Sequence, residues 1–497
     1  MEPRGDRLTA AHGFALAIAL GIAILAGGCS SPSGIALDPA WASGGVAVSR
    51  DLFGHNTVWS EGGLGLWDDG ARALVPQAVQ ETQQLTPGLL RFPGGTRAMR
   101  YHFAEARGAT RTPQCDPFRG TTDATTYGPD EFLSLAVTLG ADVTWVAPWV
   151  DGSPDESAAI ASFVAATPAV KYLEIGNEPY LGLPAGPSSG SCGRPTQFVQ
   201  DERWDGTTRI PTTAADYAAQ LAATAPKVRA ANPALLIGAP ATSQYDGTSD
   251  AMDAVGDVDA LAGGDPWNAR LLSDAGDAFD FFVLHPYDFT VDDDARVRLA
   301  ERARKTVRDL RAAAPTKQVG ITEYGFLFGG GTLLNAIVTA DMTRMAIEER
   351  LLLCVRHILI ETDASGPFAD SAAIGPSLAE KPGWFASELV RRLQPVALPT
   401  SADLAADGTL VALPTRDDAM THLVVLFVDR RTDDGPARTV RLALPAGRYA
   451  AHASTLTGAT LAATDVTVSD GDLGTARGSL NVVVPAHSVV VLSADAQ

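Results

Sequence analysis

Residues 170–180 read Val-Lys-Tyr-Leu-Glu-Ile-Gly-Asn-Glu-Pro-Tyr, an apolar run that ends on Asn177 and Glu178 and is stopped at once by a proline. Residues 318–325, Gln-Val-Gly-Ile-Thr-Glu-Tyr-Gly, repeat this arrangement and end on Glu323. Short apolar runs are typical of buried parallel strands, so a polar residue that follows one lies at the C-terminal end of its strand. The two stretches therefore predict a parallel sheet that presents two carboxylates at one edge.

Between residues 50 and 395, eight such runs alternate with amphipathic segments, as in parallel α/β proteins. The predicted strands are residues 53–59, 89–92, 143–146, 172–175, 235–237, 281–284, 319–322 and 357–360. Between them, residues 214–231 and 294–313 have helical periodicity, and Ser153-Pro-Asp-Glu156 opens a further helix with a capping box. Eight strand-helix units predict an α/β fold of the (β/α)8 TIM barrel type, whose catalytic residues lie at strand C-termini.

The residue pattern changes after about residue 395, where strand-like apolar runs are separated by turns rich in Gly, Asp and Pro. This pattern predicts a C-terminal antiparallel β-sandwich domain over residues 395–497, following a catalytic barrel over residues 51–394. Residues 30–50 are predicted to be a linker and a strand that joins the sandwich. We interpret the sandwich as a packed accessory domain, with a carbohydrate-binding module as the alternative.

The first 29 residues have the pattern of an export signal. Arg4 and Arg7 precede an apolar stretch from Gly13 to Leu25, which is too short to span a bilayer comfortably. Leu25-Ala-Gly-Gly-Cys29 resembles the lipobox of bacterial lipoproteins. Residues 1–29 are therefore predicted to be a lipoprotein signal peptide, with lipidation of Cys29 as the only membrane anchor at the periplasmic or cell surface. An ordinary secretory signal with an incidental cysteine is the alternative.

Charge and cysteine content narrow the possible partners. The chain carries 58 acidic and 38 basic residues, a formal net charge of -20, so nucleic acid is not an expected partner. Cys115 and Cys192 lie in polar stretches rich in Gly and Pro and are a possible disulfide pair in an oxidising compartment. Cys354, in an apolar run, is predicted to be a buried free thiol. The cysteines have no zinc-site spacing, and no metal site is predicted.

The two carboxylates suit the cleavage of glycosidic bonds. Retaining glycosidases place a nucleophilic carboxylate about 5–5.5 Å from an acid/base carboxyl group. The nucleophile must stay ionised while the acid keeps its proton. Glu178 and Glu323 are 145 residues apart (323 − 178), so they can meet only if their strands face each other across a closed barrel. This chemistry requires no cofactor and no metal.

The two motifs resemble those of a known clan of enzymes. Gly176-Asn-Glu-Pro179 and Thr322-Glu-Tyr-Gly325 are similar to the fourth-strand and seventh-strand motifs of clan A retaining glycoside hydrolases. The resemblance implies that Glu178 is the acid/base and Glu323 the nucleophile. It also implies that Asn177 donates a hydrogen bond to the sugar 2-hydroxyl.

Within the clan, Leu90-Arg-Phe-Pro-Gly-Gly95, followed by Tyr101-His102, resembles the second-strand segment of family 51 α-L-arabinofuranosidases. That resemblance implies an arabinose-bearing polysaccharide or oligosaccharide of plant or microbial type as the substrate. Asn-Glu-Pro and the glycines at 329–331 instead resemble family 79 β-glucuronidases and heparanase-like proteins. A β-glycosidase or β-glucuronidase is therefore the second hypothesis, and a surface glycan-binding lipoprotein without catalysis is the third.

Four further side chains are predicted to surround the substrate. Arg91 lies at the end of the second strand and can hydrogen-bond Glu323, the alternative being a salt bridge without a catalytic role. His285 and Tyr287 follow the sixth strand and point to one side, and the clan resemblance implies contact with the nucleophile. A role in the core is their alternative. Trp149, just past a strand end, is the best candidate for stacking on a sugar face.

Overall fold

The computed structural model describes residues 35–167, 169–180, 202–204, 209–211, 213–242, 267–288, 292–326, 330–366, 368–400 and 404–497. For 202–204 and 209–211 the description covers the backbone, which forms a two-stranded antiparallel ribbon. The predicted leader, the lipidation at Cys29 and the predicted disulfide partner Cys192 lie outside these residues. Among the described residues, no helix has the length and apolar character needed to cross a membrane.

Eight parallel strands form one sheet that nearly closes into a barrel, which confirms the predicted fold class. They are β1 (Gly54–Asn56), β2 (Leu89–Phe92), β3 (Asp142–Ala147), β4 (Val170–Ile175), β5 (Leu236–Pro240), β6 (Phe281–Leu284), β7 (Gln318–Ile321) and β8 (Val355–Arg356). Spatial order follows chain order, with β8 paired to β1. The ring closes between β7 and β8 through a single parallel bridge from Ile321 to Cys354. The eighth strand was predicted at residues 357–360 and lies two residues earlier.

A helix follows each strand and covers the barrel. The helices are α1 (Pro76–Leu85), α2 (Pro129–Leu139), α3 (Pro154–Val164), α4 (Ala214–Ala231), α5 (Trp267–Ala275), α6 (Leu299–Ala313), α7 (Leu333–Glu348) and α8 (Pro382–Val390). The hydroxyl of Ser153 accepts the backbone N–H of Glu156 at 3.1 Å and so caps α3. The helix predicted at 294–313 is divided into a short turn, Asp293–Arg296, and α6.

Two further sheets form the C-terminal layer. Their strands are β9 (Val396–Ala397), β10 (Leu410–Arg416), β11 (His422–Asp429), β12 (Arg438–Ala443), β13 (Tyr449–Gly458), β14 (Val466–Ala476), β15 (Ser479–Val484) and β16 (Ser488–Ala496). Val46–Ala47, β9, β10, β11, β16, β13 and β14 make a seven-stranded sheet in that order. Ile35–Leu37, β12 and β15 make a smaller sheet.

Side chains alternate between the two faces of the seven-stranded sheet, as the pleat of a strand requires. Leu423 and Val425 of β11 pack in the core beneath the three-stranded sheet. Val424 and Leu426 point the other way and join the core formed with the barrel helices. The sheet is therefore apolar on both faces, with the small sheet on one side and the barrel on the other, which confirms a C-terminal antiparallel sandwich.

Two cysteines occupy different environments. Cys115 lies on a short strand, Gln114–Asp116, and is disulfide-bonded, while its predicted partner lies outside the described residues. Cys354 is a buried free thiol, and burial raises its pKa far above the usual range. Its low reactivity follows because the thiolate is the reactive form.

Candidate active site

The two predicted catalytic carboxylates follow β4 and β7 at the C-terminal mouth of the barrel. Glu178 comes three residues after the end of β4 and has a left-handed backbone, with φ of 45°. Two residues before it, Gly176 has φ of 83°, and a Cβ there would lie 3.0 Å from the Cβ of Trp149. The chain thus turns sharply after β4, in a backbone region that strains non-glycine residues by about 1–3 kcal/mol. This turn sets the direction of the Glu178 side chain.

Arg91, at the C-terminal end of β2, connects the groups around the mouth. Its side chain is fully buried, and its Nε donates to both carboxylate oxygens of Glu174 at 3.0 and 3.1 Å. Nη2 donates to Glu174 at 2.8 Å and to the Asn177 side-chain carbonyl at 2.9 Å. Nη1 donates to Oε1 of Glu323. One guanidinium therefore fixes Asn177 and Glu323 in place.

Glu174, within β4, holds the Arg91 guanidinium in place through hydrogen bonds. Besides Arg91, its oxygens accept the hydroxyl protons of Thr144 at 2.7 Å and Thr322 at 3.1 Å. These contacts give Glu174 a structural role, because they orient the guanidinium that contacts Asn177 and Glu323.

Glu323 is a buried carboxylate surrounded by donors. The Tyr287 hydroxyl donates to its Oε2 at 2.7 Å, and the Asn56 amide lies 3.4 Å from its Oε1, on which Arg91 also donates. Burial alone would raise the pKa of Glu323, but His285 and His357 in their protonated forms, Arg91 and the Tyr287 hydrogen bond lower it to about 2. Glu323 is therefore ionised at neutral pH, as a nucleophile must be.

His357 contributes to this environment as a neutral ring. Burial lowers its pKa to about 4, so its charge is absent at pH 7 and Arg91 is the permanent cation beside Glu323. The Asn56 side-chain amide lies 2.6 Å from Nδ1 of His357. Because the amide donates there, Nδ1 accepts and the ring proton is on Nε2. The 3.7 Å approach of Nδ1 to Glu323 is therefore not a hydrogen bond.

Hydrogen bonds from Glu174 through Thr322 orient the His285 ring beside Glu178. The Thr322 hydroxyl donates its only proton to Glu174, so it must accept from Nε2 of His285, which lies 2.8 Å away. Nδ1 of His285 faces Oε1 of Glu178 at 3.0 Å. The Thr322 hydroxyl thus fixes one edge of the His285 ring, and the other edge is turned toward Glu178. A proton moving between Glu178 and His285 would have only this short distance to cross.

Two tyrosines lie near both carboxylates. Burial raises the pKa of Tyr287 well above its usual value, and the charges of Glu323 and Glu178 raise it further. The pKa of Tyr180 is raised in the same way, first by burial and then by the same two carboxylates. Both phenols therefore stay protonated and can donate hydrogen bonds. Tyr287 contacts Glu323 directly, and its phenol is also near enough to Glu178 to feel that charge.

The sequence identified most of this cluster, and the structure adds to it. Glu178, Glu323, Arg91, Asn177, His285 and Tyr287 come together at one end of the barrel. Arg91 acts through Glu323 and not at the surface, because it is fully buried. Trp149 is only 1% exposed and its ring lies 4.8 Å from that of Tyr217, which is the packing of a core residue and gives no support to sugar stacking.

Asn56, His357 and Thr322 were not predicted. Asn56 ends β1, and His357 directly follows β8, so the rule that pointed to Glu323 also applies to them. Their strands are only three and two residues long, and the apolar pattern that marks a strand end is weak in so short a segment. Thr322 was assigned to a strand and its hydroxyl was overlooked.

The cluster combines a carboxylate that is kept ionised with a carboxyl group that faces an imidazole. Glu323 has the lowered pKa, and Glu178 lies 3.0 Å from Nδ1 of His285. Among the described residues, no group of three His, Cys, Asp or Glu side chains is arranged to hold a metal ion. The arrangement suits nucleophilic attack coupled to protonation of a leaving group.

No protein-family model and no curated protein sequence matches the chain. Among solved structures, the α-L-arabinofuranosidase of Thermotoga maritima, in an arabinose complex, matches with a TM-score of 0.71 at 19% identity, over 93% of this chain and 99% of that chain. The GH51 arabinofuranosidase of Xanthomonas axonopodis pv. citri has a TM-score of 0.67 at 17% identity, with coverage of 93% and 99%. CelM2, a bifunctional glucanase-xylanase from a metagenome library, has 0.60 at 14%, with the same coverage. These matches show that the chain shares the fold of these enzymes.

Proposed function

We propose that the protein is a retaining glycoside hydrolase in which Glu323 is the nucleophile and Glu178 the acid/base. The observation that carries the proposal is the difference between the surroundings of the two acids. Arg91 and Tyr287 donate hydrogen bonds to Glu323, whereas Glu178 faces the imidazole of His285 at 3.0 Å. Retaining hydrolysis needs an ionised nucleophile and an acid that can give up and take back a proton.

The reaction would proceed by double displacement. Glu323 attacks the anomeric carbon as Glu178 protonates the departing glycosidic oxygen, which forms a glycosyl-enzyme. Glu178, now deprotonated, takes a proton from water, and the resulting hydroxide equivalent releases the sugar with net retention. His285 can share the proton of Glu178 during both steps, since its Nδ1 lies 3.0 Å from the carboxylate. Asn177, whose carbonyl is fixed by Arg91, is positioned to donate its amide N–H to the sugar.

We propose an α-L-arabinofuranoside as the substrate. The sequence resemblance to family 51 and the fold shared with arabinofuranosidases, including an arabinose complex, support this choice. A β-linked glycan is the second candidate, because the same fold is found in a bifunctional glucanase-xylanase. The Asn-Glu-Pro motif, which resembles that of family 79, adds a β-glucuronide to this second group. A panel of nitrophenyl glycosides separates the candidates, and turnover of pyranosides alone would reject the first.

Stereochemistry and chemical rescue test the mechanism. Proton NMR should show that the product anomer formed first keeps the configuration of the substrate, and an inverted product would contradict the proposal.

Glu178→Ala should slow hydrolysis by about 10²–10⁴-fold, the usual contribution of general acid–base catalysis. With a nitrophenyl leaving group that needs little protonation, azide should restore turnover and give a glycosyl azide. Glu174→Ala, which removes a carboxylate away from the reacting bond, should not be rescued by azide.

We further propose that the protein is exported and anchored through lipid on Cys29, on the basis of its leader sequence alone. Cell fractionation and detergent phase partition would test this. The natural chain should enter the detergent phase, and Cys29→Ala should leave it. Partition of both chains into water would contradict lipid attachment.

A further inference from the structure

A small cavity lies on the outer side of the barrel wall, behind β1 and β8 and beneath α7 and α8. Its volume is about 10 Å³, the size that holds a single water-sized particle. Its polar lining consists mainly of His55, Tyr324, Thr339, Thr343, Arg356 and Arg391. In the described part of the chain, none of the residues that line it is an aspartate or a glutamate.

Arg356 brings a buried charge to this cavity. Its side chain is only 2% exposed, and its Nη1 and Nη2 donate to the backbone carbonyls of Ile358 at 3.0 Å and Ser371 at 2.6 Å. Its Nε has no hydrogen-bond partner, and it forms no ion pair with any described carboxylate. Carbonyl dipoles leave the net charge in place, and an uncompensated buried charge is strongly destabilising.

A second guanidinium and a histidine add to the positive field. Arg391, half-buried on the turn after α8, donates to the Thr86 hydroxyl at 3.0 Å and lies 4.4 Å from the Phe53 ring, again without a carboxylate among the described residues. His55 is 4% exposed and its Nδ1 has no hydrogen-bond partner there. Burial, and then the charges of Arg356 and Arg391, lower the pKa of His55 to about 3, so the ring is a neutral donor and acceptor.

We propose that this cavity binds one small monovalent anion of the size of chloride or bromide. Arg356 and Arg391 supply the charge, and they line the space together with His55 and Tyr324. The Arg356 Nε and the His55 Nδ1 have no hydrogen-bond partner in the described chain and are free to bind an anion. A water molecule would fill the volume but would leave the charge uncompensated. Carboxylates, phosphate and sulfate have too many atoms for a space of about 10 Å³.

The position of the cavity links it to the wall of the active site. His55 and Arg356 are directly paired in the register of β1 and β8. The residue that follows each of them in the chain faces the barrel interior. Those residues, Asn56 and His357, form the 2.6 Å contact beside Glu323. A bound anion would therefore stabilise the pairing that carries Asn56 and His357. The inference depends on the cavity alone and is independent of the proposed hydrolase activity.

Crystals of the protein soaked in sodium bromide provide a direct test. Anomalous scattering should show a bromide in the cavity within hydrogen-bond reach of the Arg356 Nε, and a cavity filled only by water would overturn the proposal. Thermal unfolding should show Tm higher by about 2–4 °C in chloride than in gluconate at equal ionic strength. Sulfate should give no such shift in Tm once its general salt effect has been subtracted. That effect is measured with the Arg392→Gln variant described next.

Neighbouring arginines on the same helix end provide a matched pair of variants. Arg391→Gln should at least halve the chloride-dependent shift in Tm, because Arg391 lines the cavity. Arg392→Gln removes an equal charge from a side chain that pairs with Glu388, and should leave the shift unchanged. Equal shifts in both variants would show a general salt effect and would reject the site. Arg356→Gln should abolish bromide binding, and if this variant does not fold, the bromide map of the unaltered protein decides the question.

Discussion

Arg91 on the inner side of the barrel and Arg356 on its outer side are both buried guanidinium groups, but they differ in their partners. Arg91 lies between the carboxylates of Glu174 and Glu323. Arg356 has only backbone carbonyls around its charge within the described chain. A buried cation beside a carboxylate can set the protonation state of that carboxylate. A buried cation without a carboxylate nearby is stabilised only when an anion binds from solution. The same barrel wall thus uses one residue type in two ways.

The largest expected effect is on the inner side. Glu323→Gln keeps the volume of the side chain but removes the negative charge that Arg91 and Tyr287 stabilise. Loss of a covalent nucleophile of this kind lowers kcat by on the order of 10⁴-fold or more. The measurement is steady-state hydrolysis of an active nitrophenyl glycoside, with circular dichroism as the control for folding. Activity within tenfold of the unaltered protein would reject Glu323 as the nucleophile.

The two arginines can be compared directly by replacing each with methionine. Arg91→Met strands two carboxylates that share its charge, and breaking a buried pair in this way costs about 3–5 kcal/mol. Arg356→Met removes a charge that has no carboxylate partner, so in chloride-free buffer we expect a much smaller loss or a gain. Urea unfolding of both variants, with the anion controlled, provides the measurement. An equal loss in both would mean that Arg356 is compensated in some other way.

The sequence predicted the inner site better than the outer one. Glu178 and Glu323 follow apolar strands, and Arg91 lies near the end of one. These strands are four to six residues long, so positions at their ends can be read from the pattern. The eighth strand was placed two residues late, because Ile358 and Leu359 are apolar and buried beyond the strand end.

The outer cavity has no comparable signal. Charged residues such as Arg356 are rarely buried without a carboxylate partner, so a sequence pattern assigns them to the surface. His55 belonged to a predicted strand, but which of its neighbours would face it depends on how α7 and α8 cross the barrel. Burial of this kind follows from tertiary packing, which the local periodicity of one chain does not encode.

The lowered pKa of Glu323 on the inner side makes the stability of the protein depend on pH. The pKa of Glu323 in the folded protein is about 2, below its usual value of 4.5. A carboxyl group whose pKa is lower in the folded protein than in the unfolded chain stabilises the fold. This stabilisation is fully present above the pKa of the unfolded chain and is lost as the pH falls through the pKa of the folded protein. The free energy of unfolding should therefore fall between about pH 4.5 and 2.

Tyr287→Phe is the variant that tests this acid limb. It removes the 2.7 Å hydrogen bond to Glu323, so the pKa of Glu323 should rise and part of the acid-dependent loss should disappear. The loss of one hydrogen bond to a charged group is worth about 1.5–3 kcal/mol. Urea unfolding from pH 7 to 2 gives the measurement, with Tyr449→Phe in the sandwich as the control. Parallel curves for the two variants would contradict a role of Tyr287 in setting the charge of Glu323.

Thr322→Val should have the smallest effect and tests how His285 is oriented beside Glu178. The substitution keeps the side-chain shape but removes the hydroxyl that accepts from Nε2 of His285. Without this hydrogen bond the ring is no longer held at 3.0 Å from Glu178, so we expect kcat to fall by about tenfold, within the range of one positioned hydrogen bond. Steady-state kinetics provides the measurement, and Thr322→Ser, which keeps the hydroxyl, should retain most of the rate. An equal loss of kcat in both variants would show that Thr322 merely fills space.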